Sequence, residues 1–363
     1  MSDGASLCFV MAGGGTGGHV VPLVAVAREL RRRGHECRFV GTRDGFEARL
    51  VPQHGFPLEF IGIGGLMGVG LARKAKTAVQ LPLSAARIWR RLGQWRAAGV
   101  FSMGGYVAGP AVIAALLRGL PVVAMEPNAR PGVTNLRLGR RVARTLIAFE
   151  ETARYFPPGK WELTGLPVRD EFFSIGQNKP GERLNLLITG GSRGSRTLNR
   201  AAEESWPLFR QSGLRVRLVH QTGKEECDSI RDRFAQSGVE GEIVPFIDDM
   251  PAAYAAAHLV VSRSGAGAVA ELAAAGRPAV LVPFPFATGD HQRSNAEALE
   301  RAGAARMVRD SEMTGLRLFE IVRELAAKPD TLESMGHAAR RLARRGAASR
   351  AADLLESLAR GKE

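Results

Sequence analysis

The chain has 363 residues, enough for two ordinary domains, and its 45% hydrophobic and 24% charged composition is that of a folded protein rather than a disordered one. Fifty Lys and Arg against 36 Asp and Glu leave +14, a surplus that points to a polyanionic partner, either nucleic acid or an anionic membrane surface. No stretch reads as a signal peptide or a membrane span, and Cys8, Cys37 and Cys227, sparse and far apart, read as small buried hydrophobes in a reducing cytoplasm.

In chain order, a strand is predicted over 7–12, then a glycine cluster, then a helix over 19–33 that ends at Gly34. Strands follow at 37–40, 99–102, 121–124 and 145–149, with a helix at 111–118, while 71–81 and 83–95 read as two helices joined at Pro82. The rhythm breaks over 150–177 into a passage punctuated by Pro and Gly. It then restarts with a strand at 185–189, a helix at 197–211, and strands at 215–220, 258–262 and 279–283. Strands alternating with helices mean βαβ units and parallel sheets covered on both faces. Both halves open with a strand, a Gly-rich turn and a helix. The expected fold is therefore α/β, two Rossmann-like doubly wound domains with a boundary near 165–180. Ligands of such sheets sit at the carboxyl ends of the strands, here in a cleft that the two domains face.

Gly13, Gly15 and Gly18 satisfy G-x-G-x-x-G between a strand and a helix, where glycines let backbone N–H groups approach a phosphate. A dinucleotide site also needs an acid at the end of the second strand. That place holds Gly41-Thr42-Arg43, with Asp44 late, which argues against a nicotinamide or flavin cofactor. A tight turn that binds nothing is the other reading. His19 falls in the first turn of the following helix, where the helix dipole disfavours imidazolium, so it is expected to be neutral and a candidate general base. The other six histidines are scattered and read as structural. Metal-ligand spacings are absent, and Asp248-Asp249 reads as a helix cap. A bound diphosphate would then be met by backbone donors and basic side chains, with no metal required.

Eight blocks in order carry a resemblance: Gly13 to His19; Gly104-Gly105-Tyr106 to Pro110; Glu126-Pro127-Asn128 with Asn135; Thr164 to Arg169; Gly190-Gly191-Ser192 with Leu198-Asn199; Pro245 to Met250; Ser262 to Gly265 with Glu271; and Asp290-His291-Gln292 with Asn295-Ala296. Together they resemble the MurG family of peptidoglycan glycosyltransferases, UDP-N-acetylglucosamine:N-acetylmuramyl-(pentapeptide) pyrophosphoryl-undecaprenol N-acetylglucosamine transferases. The resemblance implies a GT-B fold. Residues 1–168 would be an acceptor- and membrane-binding domain, 169–345 a UDP-GlcNAc-binding domain, and 346–363 a helix packing back on the first.

It also implies an inverting, metal-independent transfer of GlcNAc from UDP-GlcNAc to the 4-hydroxyl of the muramyl sugar of lipid I, giving lipid II. Carried over by position, His19 would be the base, and Gly15, Thr16 and Gly17 would line the cleft beside the acceptor diphosphate and the donor sugar. Tyr106 and Asn128 would help hold the sugars, while Arg169 and Ser192 would bind the donor. Ile247 would hold uracil by its backbone, Glu271 the ribose hydroxyls, and Gln292 the GlcNAc hydroxyls. Met125, Pro127, Leu166, Arg193 and Ala268 depart from the family pattern. The alternative enzyme is another GT-B nucleotide-sugar glycosyltransferase with a different lipid or glycan acceptor.

The charge is local. Between Phe60 and Phe149 there are 13 Lys and Arg and one acid, Glu126, so this stretch alone carries +12. Arg73, Lys74, Lys76, Ile88, Trp89, Arg90 and Arg91 are expected to form a face that dips into anionic headgroups, each basic residue contributing about 1 kcal/mol. Arg340, Arg341, Arg344, Arg345 and Arg350 are expected on an exposed helix face. A nucleic-acid partner finds no motif and only 6% aromatic residues, so none is expected. A peripheral enzyme on the cytoplasmic face of the inner membrane accounts for the surplus better.

Overall fold

The computed structural model describes residues 6–64 and 71–361, with the side chains of residues 71–76 and 288 left out. The chain divides into two units, Met1–Val168 with Arg344–Glu363, and Arg169–Ala343.

The first unit is built on strands β1 (Cys8–Ala12), β2 (Glu36–Gly41), β3 (Leu58–Phe60), β4 (Ala97–Ser102), β5 (Val122–Glu126), β6 (Arg144–Ile147) and β7 (Trp161–Leu163). They form one sheet of order β3-β2-β1-β4-β5-β6-β7, and every pairing is parallel. The order reverses between β1 and β4, which makes that pair the topological switch point. β1 and β5 are buried along their whole length; β1 is a continuous apolar run, and β5 is one up to its last residue, Glu126. The C-terminal helix Ala347–Ala359 belongs to this unit and packs on helix Gly17–Arg32. Arg33 pairs with Asp353 and Glu356 of that helix at 2.6 and 3.1 Å, and His35 Nε2 meets Glu356 Oε1 at 2.7 Å.

The second unit repeats the plan with β8 (Leu184–Thr189), β9 (Val216–Gln221), β10 (Glu240–Val244), β11 (Leu259–Ser262), β12 (Ala279–Leu281) and β13 (Ala305–Met307). Their order is β10-β9-β8-β11-β12-β13, again parallel throughout, with the switch point between β8 and β11. A core of Leu186, Ile188, Leu198, Trp206, Phe209, Leu218, Ile321 and their neighbours fills the space between this sheet and its helices. Cys8, Cys37 and Cys227 are free thiols, all buried. No helix among the described residues is long and apolar enough to cross a membrane.

Three expectations are corrected. The two helices expected around Pro82 are one, Leu71–Gln94, with Pro82 inside it. A mid-helix proline costs about 3 kcal/mol. Here Ala85, Ile88 and Leu92 bury one side of the helix against Gly105–Leu117, and that packing offsets the lost hydrogen bond. Ile88 accordingly leaves the expected membrane face: it is fully buried in the core of this unit. The residues this helix does present to solvent include Val79 (62% exposed), Leu83 (66%) and Trp89 (44%). Finally, Arg340 is not on an exposed face. Its guanidinium donates to the carbonyls of Phe173, Ile175, Ala274 and Ala275, at and just past the C-terminal ends of helices Asp170–Phe173 and Ala266–Ala275.

Candidate active site

In the first unit, the residues expected around the acceptor stand after the carboxyl ends of three adjacent strands. Gly15, Thr16, Gly17 and His19 follow β1, Tyr106 follows β4, and Asn128 follows β5. Helix Gly17–Arg32 begins inside the glycine run, with Thr16 as its N-cap residue and no side-chain cap bond. The Thr16 hydroxyl lies instead 3.2 Å from His19 Nδ1, and the His19 N–H donates to the Thr16 carbonyl at 3.1 Å. Gly15 has φ +87°, a left-handed conformation that favours glycine, and a Cβ placed on it would stand 3.8 Å from the Tyr106 ring and hydroxyl. Burial raises the Tyr106 pKa, with Glu47 and Asp44 adding to the rise.

The residue that organises this turn was not among those expected. Glu47 is fully buried, and its Oε2 accepts the Gly15 N–H at 2.8 Å while its Oε1 accepts the Thr42 N–H and the Thr42 hydroxyl, both at 2.8 Å. A Cβ on Gly14, Gly41 or Gly45 would come within 2.4 Å of the Glu47 side chain, so the glycines make room for it. The sequence search for a ribose-binding acid ended at Asp44. Three residues further on, the acid that is present turns inward to the backbone.

After β5, Glu126 plays a parallel part for Asn128. Its oxygens accept the Asn128 N–H (3.0 Å), the Asn128 side-chain amide (3.1 Å), the Gly132 N–H (2.9 Å) and the Asn135 amide (2.9 Å). Burial raises the Glu126 pKa and these donors lower it. Met125, one of the departures from the family pattern, is a fully buried strand residue whose carbonyl receives the Asn135 amide.

In the second unit, Ser192 follows β8, Ile247 follows β10, Glu271 lies on helix Ala266–Ala275 after β11, and Gln292 lies at the start of helix His291–Arg301 after β12. Ser192 is exposed in a turn closed by the Gly194 N–H on the Gly191 carbonyl at 2.9 Å, and Ser195 caps the next helix by accepting from the Leu198 N–H. Glu271 is half-buried. Burial raises its pKa to about 7, and the nearby Arg169 guanidinium pulls it down, so these two expected donor ligands share one electrostatic environment. Asp249 caps helix Met250–Ala256 just after Ile247, accepting the Ala252 N–H at 3.0 Å.

Gln292 is held at both ends. Its Oε1 accepts the Phe284 N–H at 2.9 Å, and its carbonyl accepts the Ser264 hydroxyl at 2.8 Å. Beside it, the Phe284 and Phe286 rings meet edge to face at 5.7 Å, with Phe286 83% exposed, an apolar surface the sequence reasoning did not single out. Arg263 is braced among the same strand ends by Asp310 at 2.5 Å and by the Val282 carbonyl at 3.1 Å. Among the described residues, no three His, Cys, Asp or Glu side chains converge as metal ligands do.

The membrane-face residues divide as well. Arg90 is exposed, Arg91 lies 3.4 Å from Glu59, and the Arg118 guanidinium covers the Trp89 ring at 4.3 Å. Arg73, Lys74 and Lys76 lie outside the residues whose side chains are described.

Comparison with known proteins covers both units. Residues 9–147 match the glycosyltransferase family 28 N-terminal domain, and residues 185–357 match the glycosyltransferase family 28 C-terminal domain. A protein of Solibacter usitatus named UDP-N-acetylglucosamine--N-acetylmuramyl-(pentapeptide) pyrophosphoryl-undecaprenol N-acetylglucosamine transferase is 60% identical over 97% of this chain and 96% of its own. One of the same name from Myxococcus xanthus is 43% identical over 96% and 92%. Among solved structures, the MurG of Acinetobacter baumannii superposes with a TM-score of 0.81 at 33% identity, over 97% of this chain and 99% of that one.

Proposed function

The chain belongs to glycosyltransferase family 28, and from that membership we infer that it performs the reaction for which its curated relatives are named. It is a UDP-GlcNAc-dependent N-acetylglucosaminyltransferase that moves GlcNAc to lipid I, forming lipid II in peptidoglycan synthesis. The observation that carries this is 60% identity over nearly the whole length of both chains, which includes both sets of strand ends.

The arrangement supports an inverting displacement. His19 takes the proton of the muramyl 4-hydroxyl, the oxygen attacks C1 of GlcNAc, and the C1–O bond to the diphosphate breaks with its electron pair leaving on UDP. Gly15, Thr16, Gly17, Tyr106 and Asn128 surround the acceptor side. Ser192 and the backbone at the start of helix Arg196–Ser212 receive the diphosphate, whose charge is met without a metal. Ile247 holds uracil, Glu271 the ribose with Arg169 beside it, and Gln292 the sugar hydroxyls. The Gln292 Oε1 is engaged by Phe284, so its amide N–H groups are the ones that face the sugar. The basic, partly apolar side of helix Leu71–Gln94 rests on the anionic inner-membrane surface at its cytoplasmic face, beside the lipid-linked acceptor.

The test is turnover. UDP is expected to be released from UDP-GlcNAc when a lipid I analogue is present and not without it, with EDTA making no difference. Release with an unrelated acceptor and none with lipid I would replace this reading with that of a glycosyltransferase of another pathway.

A further inference from the structure

We propose that Glu47 is a positioning residue for the candidate base His19, acting through the backbone of the glycine turn; the inference rests on His19 being the base. In the reading above Glu47 is assigned no substrate contact. What it holds is the Gly15 N–H, at 2.8 Å, from a fully buried position. Gly15 precedes Thr16, whose hydroxyl lies 3.2 Å from His19 Nδ1 and whose carbonyl accepts the His19 N–H at 3.1 Å. The carboxylate is itself anchored by Thr42 at the end of β2 and walled in by Gly14, Gly41 and Gly45. A left-handed Gly15 has no side chain to restrict it, so the bond to Glu47 is what selects one conformation of the turn.

Two consequences separate this from a general contribution to folding. Both carboxylate oxygens act as acceptors, toward Gly15 and toward Thr42, so Glu47→Gln can satisfy one side only. The amide nitrogen it introduces must face an N–H group, either that of Gly15 or that of Thr42. The arrangement also spends the Gly15 N–H on the protein, so this donor serves the geometry of His19 rather than an acceptor phosphate.

The experiment measures kcat, the KM for UDP-GlcNAc and thermal unfolding for His19→Ala, Glu47→Gln and the double variant, with a lipid I analogue as acceptor. Glu47→Gln is expected to lower kcat by about 10- to 100-fold, the scale of a misplaced catalytic group, with little change in the KM for UDP-GlcNAc. The double variant is expected to be no slower than His19→Ala, because a residue that acts through the base has nothing to add once the base is gone.

Should Glu47→Gln fail to fold, Gly45→Ala serves instead. Gly45 has no left-handed backbone, and a Cβ there would meet both Glu47 oxygens at 2.2 Å, displacing the carboxylate without removing its charge. The same fall in kcat is expected. A folded variant of either kind with wild-type kcat overturns the proposal, and so do losses that multiply in the double variant. Full turnover by His19→Ala overturns the base assignment itself, which that single variant reports whatever Glu47→Gln does.

Discussion

The two glycine-rich turns begin alike, each leaving the first strand of its sheet at the switch point, yet they are backed by different things. Behind the first stands a buried carboxylate, Glu47, bonded to the Gly15 N–H. Behind the second stand close backbone and two neutral side chains: a Cβ on Gly194 would fall 1.8 Å from the Thr222 carbonyl oxygen, one on Gly223 would fall 2.5 Å from that of Arg193, the Gln221 amide donates to the Gly191 carbonyl at 3.0 Å, and the Thr189 hydroxyl accepts the Gly191 N–H at 3.2 Å. The first turn is thus lined with negative charge and carries a histidine, which suits a place where a proton is accepted. The second has Arg193 and Arg196 exposed around it and, among the described residues, no buried acid, which suits a place where an anion departs. One motif serves two halves of a displacement, and the residues packed behind it decide which half.

The largest expected effect tests the first turn. His19→Ala is expected to lower kcat by about 10²- to 10⁴-fold, the range for loss of a general base, while the KM for UDP-GlcNAc changes little. Equal kcat would remove the chemical contrast between the turns.

Next comes the backing itself. Gly194→Ala combines a left-handed φ of +75° with the collision on Thr222, and is expected to destabilise the second unit by about 3 kcal/mol or more, read from denaturant unfolding. Gly15→Ala meets only the left-handed strain, since its Cβ would sit at ordinary distance from Tyr106. It is expected to cost about 1–2 kcal/mol. Equal losses would mean that the two turns are packed alike after all.

A pH dependence sharpens the donor side. Glu271, with a pKa near 7 because of burial, holds its proton over part of the neutral range, whereas ribose hydroxyls donate best to the ionised form. The KM for UDP-GlcNAc is therefore expected to fall by about tenfold between pH 6 and pH 8, following the ionised fraction, and Glu271→Gln is expected to flatten that dependence. The stability linkage has the opposite sign. A carboxyl whose folded pKa is raised contributes stability below its unfolded value of about 4.5 and loses that contribution as pH rises through about 7. Tighter donor binding at the pH where the free protein is less stable distinguishes this group from a surface acid.

The interior of both sheets was legible because strands buried on two faces are apolar along most of their length, as in β1, in β5 up to Glu126 and in β11 up to Ser262. The edge strands were not. β3 and β7 are only half-buried, and β10 runs Glu-Gly-Glu before its first buried residue, so neither periodicity nor apolar run marks them. Helix Leu71–Gln94 was split at Pro82 because local propensity carries no knowledge of the helix it packs against. The individual site positions came from ordered motifs, which preserve ligand-facing residues. Glu47 escaped because two of its three partners are the backbone N–H groups of Gly15 and Thr42, which leave no signature in side-chain types, and the third is a single threonine hydroxyl.

The contrast between the halves extends to their charge, since +12 lies between Phe60 and Phe149 of the first unit. If that surface meets a membrane, the exposed Val79 and Leu83, and not the buried Ile88, are the apolar contacts, sharing one side of the helix with Arg90 at i, i+4 and i+11. Leu83→Ser and Arg90→Ser are each expected to weaken binding to phosphatidylglycerol vesicles by about 1 kcal/mol, roughly fivefold, without changing the melting temperature by more than a degree or two. Ile88→Ser should do the reverse, leaving vesicle binding by the folded fraction intact while lowering the melting temperature, since it places a hydroxyl in the core between this helix and Gly105–Leu117. Vesicle sedimentation at low and high salt separates the two contributions: the Arg90 effect fades with salt because it is Coulombic, and the Leu83 effect persists because it is not. If the wild-type protein binds neutral vesicles as well as anionic ones, the basic stretch has no part in docking and the charge contrast between the units lies outside the reaction.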